Sequence, residues 1–404
     1  MPYFMRWGAM LIGRTLPRWL AAACLFSVSA SVLAADFSVG LLSMASDERY
    51  TPQALEKAYP EAPSGRALAA AELALADASF ALQGAGFTQS RVIAIESADL
   101  AGLPGALASL IKQGVRHVVL ELPAAGVAQV TEAARGKDVL LVNASAPEDA
   151  LRGAQCAPYL LHTLPSHAMQ ADALAQMLVA RKWTKPLLLI GPLPQDQLLL
   201  AAFARSAKRF GIKPVAQRPF KLSADPRERE LGNVRLLTAS ADYDAVAVFD
   251  ASGEFARDLP YRTVLPRPVL GSNGLTAQAW SPWYERHGAP QLNRRFFKAT
   301  KRAMGSYDWA AWLATRAIAE LVSRDAKAGM AQQLKTLKQG GITLDGYKGQ
   351  AMSFRAWDGQ LRQPLMLAHG NGVAEVAPIE GFLHPKTVLD TLGLDAAETG
   401  CKAP

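Results

Sequence analysis

The sequence predicts an α/β fold with two doubly wound parallel sheets. Its strand signals are short continuous apolar runs, which are typical of parallel strands covered on both faces. Stretches rich in Ala and Leu separate these runs, and such regular alternation of strands and helices favours doubly wound sheets. Because the chain has 404 residues, too many for one core, we expect two domains of this kind.

The predicted elements follow one another without a low-complexity linker, which suggests that the chain crosses between the domains more than once. Apolar runs predict strands over residues 37–42, 91–95, 117–122, 139–142, 186–190, 245–249 and 268–270. The first helix is predicted over 66–77, with Ser64 as its candidate N-cap and with Gly84 and Gly86 as stop signals. Further helices are expected near residues 107–112, 127–134, 167–180 and 195–210.

The first 35 residues have the pattern of a cleaved signal peptide. Three arginines precede an acid-free apolar stretch over 19–33, which closes in small residues at Ala34 and Ala35. This stretch is short for a spanning helix, so cleavage is favoured over the alternative of an uncleaved anchor. We therefore expect export from the cytoplasm, with Cys24 discarded in the signal peptide.

Charge and cysteine content argue against two classes of function. The formal net charge is +8, but the basic residues are dispersed and form no block of five, which argues against nucleic-acid binding. Beyond the signal peptide only Cys156 and Cys401 remain, and an oxidising compartment could join them or leave them as two thiols. These cysteines and six scattered histidines lack ligand spacing, so no metal is expected.

The sequence lacks the local motifs of common enzyme classes. It contains no G-x-S-x-G, no H-E-x-x-H, no Walker loop and no G-x-G-x-x-G after a strand. Glu121 and Asp250 could face each other as paired carboxylates, yet strand ends of this kind serve ligand binding equally well. We therefore expect a binding protein without catalytic residues or a resident cofactor.

Three segments carry a resemblance to a known family. Leu161-His-Thr-Leu-Pro-Ser166 leads into a helix, Trp183-Thr-Lys185 precedes a strand, and Gly346-Tyr-Lys-Gly349 is followed by Ser353-Phe-Arg-Ala-Trp-Asp-Gly359. Together with the order of elements, they resemble the type I periplasmic solute-binding proteins of ABC importers of the branched-chain amino-acid type. The resemblance covers essentially the whole chain after the signal peptide.

A second set of motifs resembles one subgroup of that family. The motifs are Arg209-Phe-Gly211, Asp242-Tyr-Asp244, Leu259-Pro-Tyr-Arg-Thr263, Gly271-Ser272 and Gln360-Leu-Arg-Gln-Pro364. They resemble the subgroup associated with alcohol oxidation that depends on pyrroloquinoline quinone (PQQ).

The resemblance implies a periplasmic receptor with two lobes joined by a hinge of several crossings. The first lobe would comprise residues 36–162 and 275–345, and the second 163–274 and 346–404. Such a receptor is expected to act as a monomer, to bind a small ligand in the cleft and to deliver it to an ABC permease in the membrane. The cargo would be PQQ itself or a small oxidised metabolite. The alternative is an accessory or sensor protein of the PQQ-dependent dehydrogenase system.

Candidate ligand contacts in the first lobe follow its strands. Arg49 beside Tyr50 would offer a cation and an aromatic face to a flat carboxylated ligand. The resemblance points to Glu121 after the third strand, where it would repel an amino-acid carboxylate, and to Asn143 and Ser145 after the fourth. A solvated loop, with Arg49 paired to a neighbouring acid, is the alternative for the first pair.

Candidate contacts in the second lobe are Asp250, Ser252, Asn273 and Trp280. Asp250 and Ser252 end one strand and Asn273 ends the next, although Asp250 could instead cap a helix that begins near Gly253. Trp280 belongs to a dense aromatic cluster that could stack on a planar quinone. Packing between structural elements is the alternative for this tryptophan.

Overall fold

The computed structural model describes residues 35–402, except Ala58, Glu61, Ser240 and Ala241. The predicted signal peptide therefore lies outside the described residues, apart from its last residue, Ala35. No helix within the described residues is long and apolar enough to cross a membrane.

The chain forms fourteen strands in the described residues, and all seven predicted strands are present. They are β1 (Ala35–Met44), β2 (Phe87–Ser97), β3 (His117–Glu121), β4 (Leu140–Asn143), β5 (Leu160–His162), β6 (Pro186–Ile190), β7 (Ala216–Pro219), β8 (Ala245–Phe249), β9 (Val269–Gly271), β10 (Thr276–Gln278), β11 (Ser353–Phe354), β12 (Leu361–Arg362), β13 (Leu365–His369) and β14 (Gly372–Ala377).

Ten α-helices lie among these strands in the same described ranges. They are α1 (Pro52–Lys57), α2 (Leu68–Gly84), α3 (Leu103–Lys112), α4 (Ala124–Ala133), α5 (His167–Ala180), α6 (Pro194–Phe210), α7 (Val234–Thr238), α8 (Ala289–Thr300), α9 (Ser306–Arg324) and α10 (Met330–Lys338). The five predicted helices correspond to α2 to α6. The stop signal is confirmed, because α2 ends at Gly84.

Two parallel sheets confirm the predicted fold class. The first sheet has the strand order β2-β1-β3-β4-β5, and the second has the order β7-β6-β8-β9. Each sheet reverses its direction of winding once, between β1 and β3 in the first and between β6 and β8 in the second. In open α/β sheets, ligands bind outside the carboxyl ends of the strands at this switch point.

Both faces of each sheet are buried, which explains the continuous apolar runs. On β1, Leu41 packs with α2 and α9 on one face of the first sheet, whereas Leu42 packs with α3 and α4 on the other. On β6, Leu188 and Leu189 likewise belong to cores on opposite faces of the second sheet. This sandwich of helices around each sheet holds the strand ends in fixed positions.

Antiparallel pairing in the last third of the chain was not predicted. Strands β10, β13 and β14 form a three-stranded sheet, and β11 pairs with β12. Phe354 and Leu361 pack in the core of the first sheet, whereas Leu365 and Leu367 pack in the core of the second. The chain therefore passes from one half to the other near residue 363.

Hydrogen bonds join two of the segments in which the chain passes between the halves. The His162 amide donates to the Gly359 carbonyl at 3.0 Å, and Gln363 Nε2 donates to the Thr163 carbonyl at 2.7 Å. Arg152 is 1% exposed and bridges the same region, because it donates to Gln360 Oε1 at 2.9 Å and to the Leu164 carbonyl at 2.9 Å. Burial lowers the pKa of Arg152 to about 10.

A disulfide bond joins Cys156 and Cys401, which are 245 residues apart in sequence. Of the two states that the sequence left open, the structure contains the paired one. Disulfides persist in oxidising compartments such as the bacterial periplasm.

Candidate functional site

The first switch point brings Glu121 next to the end of β1. Ser43 of β1 and Glu121 of β3 are paired in register, and the Glu121 side chain is 3% exposed. Its Oε1 accepts a hydrogen bond from the Ala67 amide at 2.8 Å, where α2 begins. Glu121 therefore supplies the acceptor that the sequence assigned to Ser64, and that prediction was wrong because a strand end lies against the helix N-terminus.

Arg66 precedes α2 and lies against Glu121. Its Nη2 donates to the Met44 carbonyl at 2.8 Å and lies 3.2 Å from Glu96 Oε1. Its Nη1 lies 3.9 Å from Glu121 Oε2, is buried, and makes no hydrogen bond to the described residues. The guanidinium carbon lies 4.1 Å from the centroid of the Tyr50 ring, which is cation–π geometry.

Tyr50 closes this corner of the site. Tyr50 is the last residue of a short 3₁₀ helix, Glu48–Tyr50, and is only 9% exposed. The hydroxyl is buried and makes no hydrogen bond of standard geometry among the described residues, although it lies close enough to Glu121 to interact with its carboxylate. A buried polar group without a partner costs roughly 1–3 kcal/mol, so two such donors at one switch point indicate a place for a ligand.

Arg49 forms an ion pair within its own loop, which is one of the two possibilities that the sequence left open. Its Nε and Nη2 donate to the two carboxylate oxygens of Asp47 at 3.0 and 2.6 Å. Its Nη1 donates to the Ser145 carbonyl at 2.6 Å, which ties the loop after β1 to the loop after β4. The guanidinium carbon lies 5.7 Å from the ring centroids of both Tyr50 and Tyr307.

The side chains of Asn143 and Ser145 make hydrogen bonds to nearby residues of the protein. Asn143 Oδ1 accepts from the amides of Ser145 and Ala146 at 3.1 and 2.9 Å, and its Nδ2 lies 3.0 Å from His162 Nδ1. Ser145 Oγ accepts from the Leu122 amide at 2.7 Å. Both side chains position the first switch point, and neither has a buried polar atom without a partner.

In the second sheet, Asp250 stabilises the turn that follows β8. Its Oδ2 accepts from the Ala256 amide at 2.9 Å, at the start of the 3₁₀ helix Ala256–Tyr261, and its Oδ1 accepts from Ser252 Oγ at 2.7 Å. The sequence left open that Asp250 caps a helix, and in the structure its side chain accepts from the first amide of this 3₁₀ helix. Asn273 donates to the Ala256 carbonyl at 3.0 Å and therefore supports the same turn.

Trp280 lies in the core, so its predicted stacking on a ligand is wrong. The residue is 1% exposed, its ring stacks on Trp309 with centroids 6.1 Å apart, and its Nε1 donates to Asn293 Oδ1 at 2.8 Å. The packing alternative is the observed one, because a large apolar ring with a satisfied N–H gains most free energy inside the core.

The two switch points meet through a segment that includes α1. The Arg257 guanidinium donates to the Lys57 carbonyl at 3.2 Å and lies 5.7 Å from the centroid of the Tyr59 ring. The Tyr59 ring also packs on Gly253, where an added Cβ would lie only 2.6 Å from it. These contacts join the loop after β1 to the loop after β8, so the structure shows the two halves in contact over the cleft.

Sequence reasoning missed Arg66, Tyr59 and Gly253 as parts of this site. Arg66 could have been found, because it precedes the first helix of an open α/β sheet and that helix end faces the switch point. No local signal marks Tyr59 and Gly253, since their contact joins residues nearly 200 positions apart.

Glu121 is expected to make stability depend on pH. Burial raises the pKa of Glu121 to about 7 from an ordinary value of 4.5, and the Ala67 amide, the Tyr50 hydroxyl and Arg66 offset only part of this effect. Between these values the folded state binds more protons than the unfolded state, so stability falls as the pH rises. Relative to wild type, Glu121→Gln should gain on the order of 2 kcal/mol between pH 4.5 and pH 8.

Urea unfolding of both proteins at several pH values measures this difference. Glu132→Gln, at an exposed position of α4, is the control and should track wild type at every pH. Parallel curves for Glu121→Gln and wild type would show that Glu121 ionises normally.

Comparison with known proteins defines the class of this fold. A family model described as periplasmic binding protein matches residues 60–257. A periplasmic binding protein from Burkholderia mallei has a TM-score of 0.65 at 15% identity, over 91% of this chain and 98% of that one. A search of curated proteins finds no match.

Two further similar structures were solved, one in a closed conformation and one with a bound ligand. The closed conformation of a leucine-, isoleucine-, valine-, threonine- and alanine-binding protein from Brucella ovis has a TM-score of 0.64 at 16% identity, over 82% of this chain and 89% of that one. A solute-binding protein of an ABC transporter from R. palustris, in complex with benzoate, has a TM-score of 0.63 at 13% identity, over 91% and 100%.

All three of these solved structures are described as binding proteins, and their similarity to this chain is one of fold. The fold of this chain is that of type I periplasmic binding proteins, and the family model matches it over residues 60–257. The R. palustris protein is described as a solute-binding protein of an ABC transporter, and the Brucella ovis protein as an amino-acid-binding protein.

Proposed function

We propose that this chain is the periplasmic substrate-binding component of an ABC transport system and that it binds a small ligand between its two switch points. The observation that carries the proposal is the pair of buried donors, Tyr50 Oη and Arg66 Nη1, which lie near the Glu121 carboxylate but make no hydrogen bond of standard geometry among the described residues. A ligand acceptor would satisfy both. The disulfide supports an oxidising compartment, and a membrane permease is the partner that the family implies.

The chemistry of the ligand follows from these donors and from the charge around them. Both groups can donate, so the ligand must offer acceptor oxygens. The two cations, Arg49 and Arg66, lie with three carboxylates, those of Asp47, Glu96 and Glu121. The corner has no excess of positive charge even when Glu121 is protonated, so a ligand with one carbonyl or one carboxyl group fits better than a polycarboxylate.

The motif resemblance links the transport system to PQQ-dependent alcohol oxidation. Of the two cargoes that this link suggests, the charge balance favours a small oxidised metabolite, such as an aldehyde or monocarboxylic acid, over the quinone. The R. palustris protein was solved with benzoate, which is a monocarboxylate, and this supports a cargo with a single acid group. A monomer is sufficient for this role.

Ligand binding measured by titration calorimetry tests the proposal. The panel comprises acetate, benzoate, glycolaldehyde, leucine and PQQ. Tyr50→Phe should weaken the best ligand about fivefold, because one hydrogen bond contributes about 1 kcal/mol. It should change the unfolding midpoint little, since the lost hydroxyl makes no hydrogen bond of standard geometry in the protein and only lies near the Glu121 carboxylate.

Tyr159→Phe is the matched control, because its hydroxyl donates to the Thr131 carbonyl outside the site. It should leave the affinity unchanged. The proposal fails if no member of the panel binds, or if both variants bind every ligand as wild type does.

A further inference from the structure

The second half of the molecule carries a surface cavity that the proposed cleft does not use. The cavity has a volume of about 680 Å³, and it is lined by residues of two segments, 229–235 and 261–264. A volume of this size is within the range of about 300–1,000 Å³ that small-molecule sites occupy. None of its lining residues belongs to the switch points described above.

Three arginines give this cavity its charge. Arg229, Arg235 and Arg262 are exposed, and their guanidinium groups make no hydrogen bond or ion pair within the part of the chain that the structure describes. The lining contains no carboxylate. Three free guanidinium forks around one cavity are suited to several carboxylates or other anionic groups, because each fork can bind an oxyanion through two N–H bonds.

Hydrogen bonds fix the two lining segments to each other. Asn233 Oδ1 caps α7 by accepting from the amides of Arg235 and Leu236 at 3.0 and 3.3 Å. At the other end of α7, Thr238 Oγ1 accepts from the Val264 amide at 3.0 Å. The arginines are therefore presented on a backbone that is already ordered, which reduces the entropy that binding would cost.

Tyr261 adds a planar face to the charged lining. The residue is 84% exposed, the most of any tyrosine, phenylalanine or tryptophan apart from Phe80 in the described residues. An exposed aromatic ring next to arginines is the composition of binding hot spots. Tyr261, Arg262 and Thr263 come from the Leu259-Pro-Tyr-Arg-Thr263 motif, which the cleft leaves without a role.

We propose that this cavity is a second binding site, for a planar aromatic polycarboxylate. The arginines would bind the carboxylates and Tyr261 would stack on the ring system. PQQ belongs to this chemical class, so the site offers it the positive charge that the cleft lacks. The inference does not rest on the proposed cleft function, because it uses different residues and a different ligand class.

Titration calorimetry with benzene-1,3,5-tricarboxylate and with PQQ tests this site. Wild type should bind both, and binding should weaken as salt is added, because exposed charges are screened. Each of Arg229→Ala, Arg235→Ala and Arg262→Ala should weaken binding about tenfold, and the triple variant should abolish it. Tyr261→Ala should weaken the planar ligands about threefold and leave pyrophosphate unaffected.

Two controls separate this site from the cleft and from general charge effects. Arg227→Ala removes an exposed arginine of the same 3₁₀ helix, Pro226–Gly232, outside the lining, and should bind as wild type does. Tyr50→Phe should also leave this binding unchanged. The proposal is overturned if wild type binds neither planar ligand at millimolar concentration, if the triple variant still binds them, or if Tyr50→Phe abolishes the binding. Binding of pyrophosphate that equals that of the planar ligands would overturn the assigned ligand class.

Discussion

Replacing Asp390 with alanine is expected to lower the free energy of unfolding by about 3 kcal/mol, since the change leaves two arginines without their common carboxylate. Asp390 is fully buried and accepts from Arg355 Nε at 2.9 Å and from Arg362 Nε at 2.9 and 3.0 Å. Arg355 is itself 1% exposed, so its charge would stay buried with backbone carbonyls and the more distant Asp358 carboxylate, at 3.8 Å, as its partners. Urea denaturation of the purified variant measures the loss.

The control for Asp390 is an ion pair on the surface. Glu132 pairs with Arg135 on an exposed face of the molecule, and Glu132→Ala should leave the unfolding midpoint unchanged because solvent screens this pair. Equal midpoints for Asp390→Ala and Glu132→Ala would contradict the importance assigned to burial.

Gly253→Ala is expected to weaken ligand binding in the cleft roughly thirtyfold, through an overpacking cost of about 2 kcal/mol in the closed form. Gly253 has a φ of +66°, and an added Cβ would lie 2.6 Å from the Tyr59 ring across the cleft. The closed form would therefore be less populated, and the apparent affinity falls with the population of the form that binds. Calorimetry with the best ligand of the panel measures the change.

Gly211→Ala is the matched control for this prediction. Gly211 has a φ of +70°, but nothing lies within 4 Å of an added Cβ, so the backbone strain is similar and the contact across the cleft is unaffected. Its ligand affinity should equal that of wild type. The double variant Gly253→Ala/Tyr59→Ala should recover most of the lost affinity, and a failure to recover it would show that the strain acts locally on the loop after β8.

The sequence predicts the two sheets well because their strands are buried on both faces and therefore read as continuous apolar runs. Short strands without such runs, such as β7 and β11, are held by pairing with a neighbouring strand and give no comparable signal. The antiparallel strands β10 and β13 pair across about 90 residues. Their pairing depends on tertiary contacts that no local pattern encodes.

The predicted site residues lie at strand ends, and their role in ligand binding stays a prediction. Tyr50, Glu121 and Asp250 lie at or just after the ends of parallel strands, where polar residues gather. The same loops need side chains to satisfy their own backbone amides, and Asn143 and Asp250 serve that need. A sequence alone does not distinguish these two uses, because both favour short polar side chains at the same positions.

The disulfide between Cys156 and Cys401 also decides where this protein can be modified. It fastens the last residues of the chain beside the segment that leads into β5, whose end, His162, is part of the joined crossings. A fluorophore attached at the exposed Lys402, next to Cys401, would therefore lie close to these crossings. Surface-based measurements of ligand affinity should therefore use a point of attachment away from this disulfide.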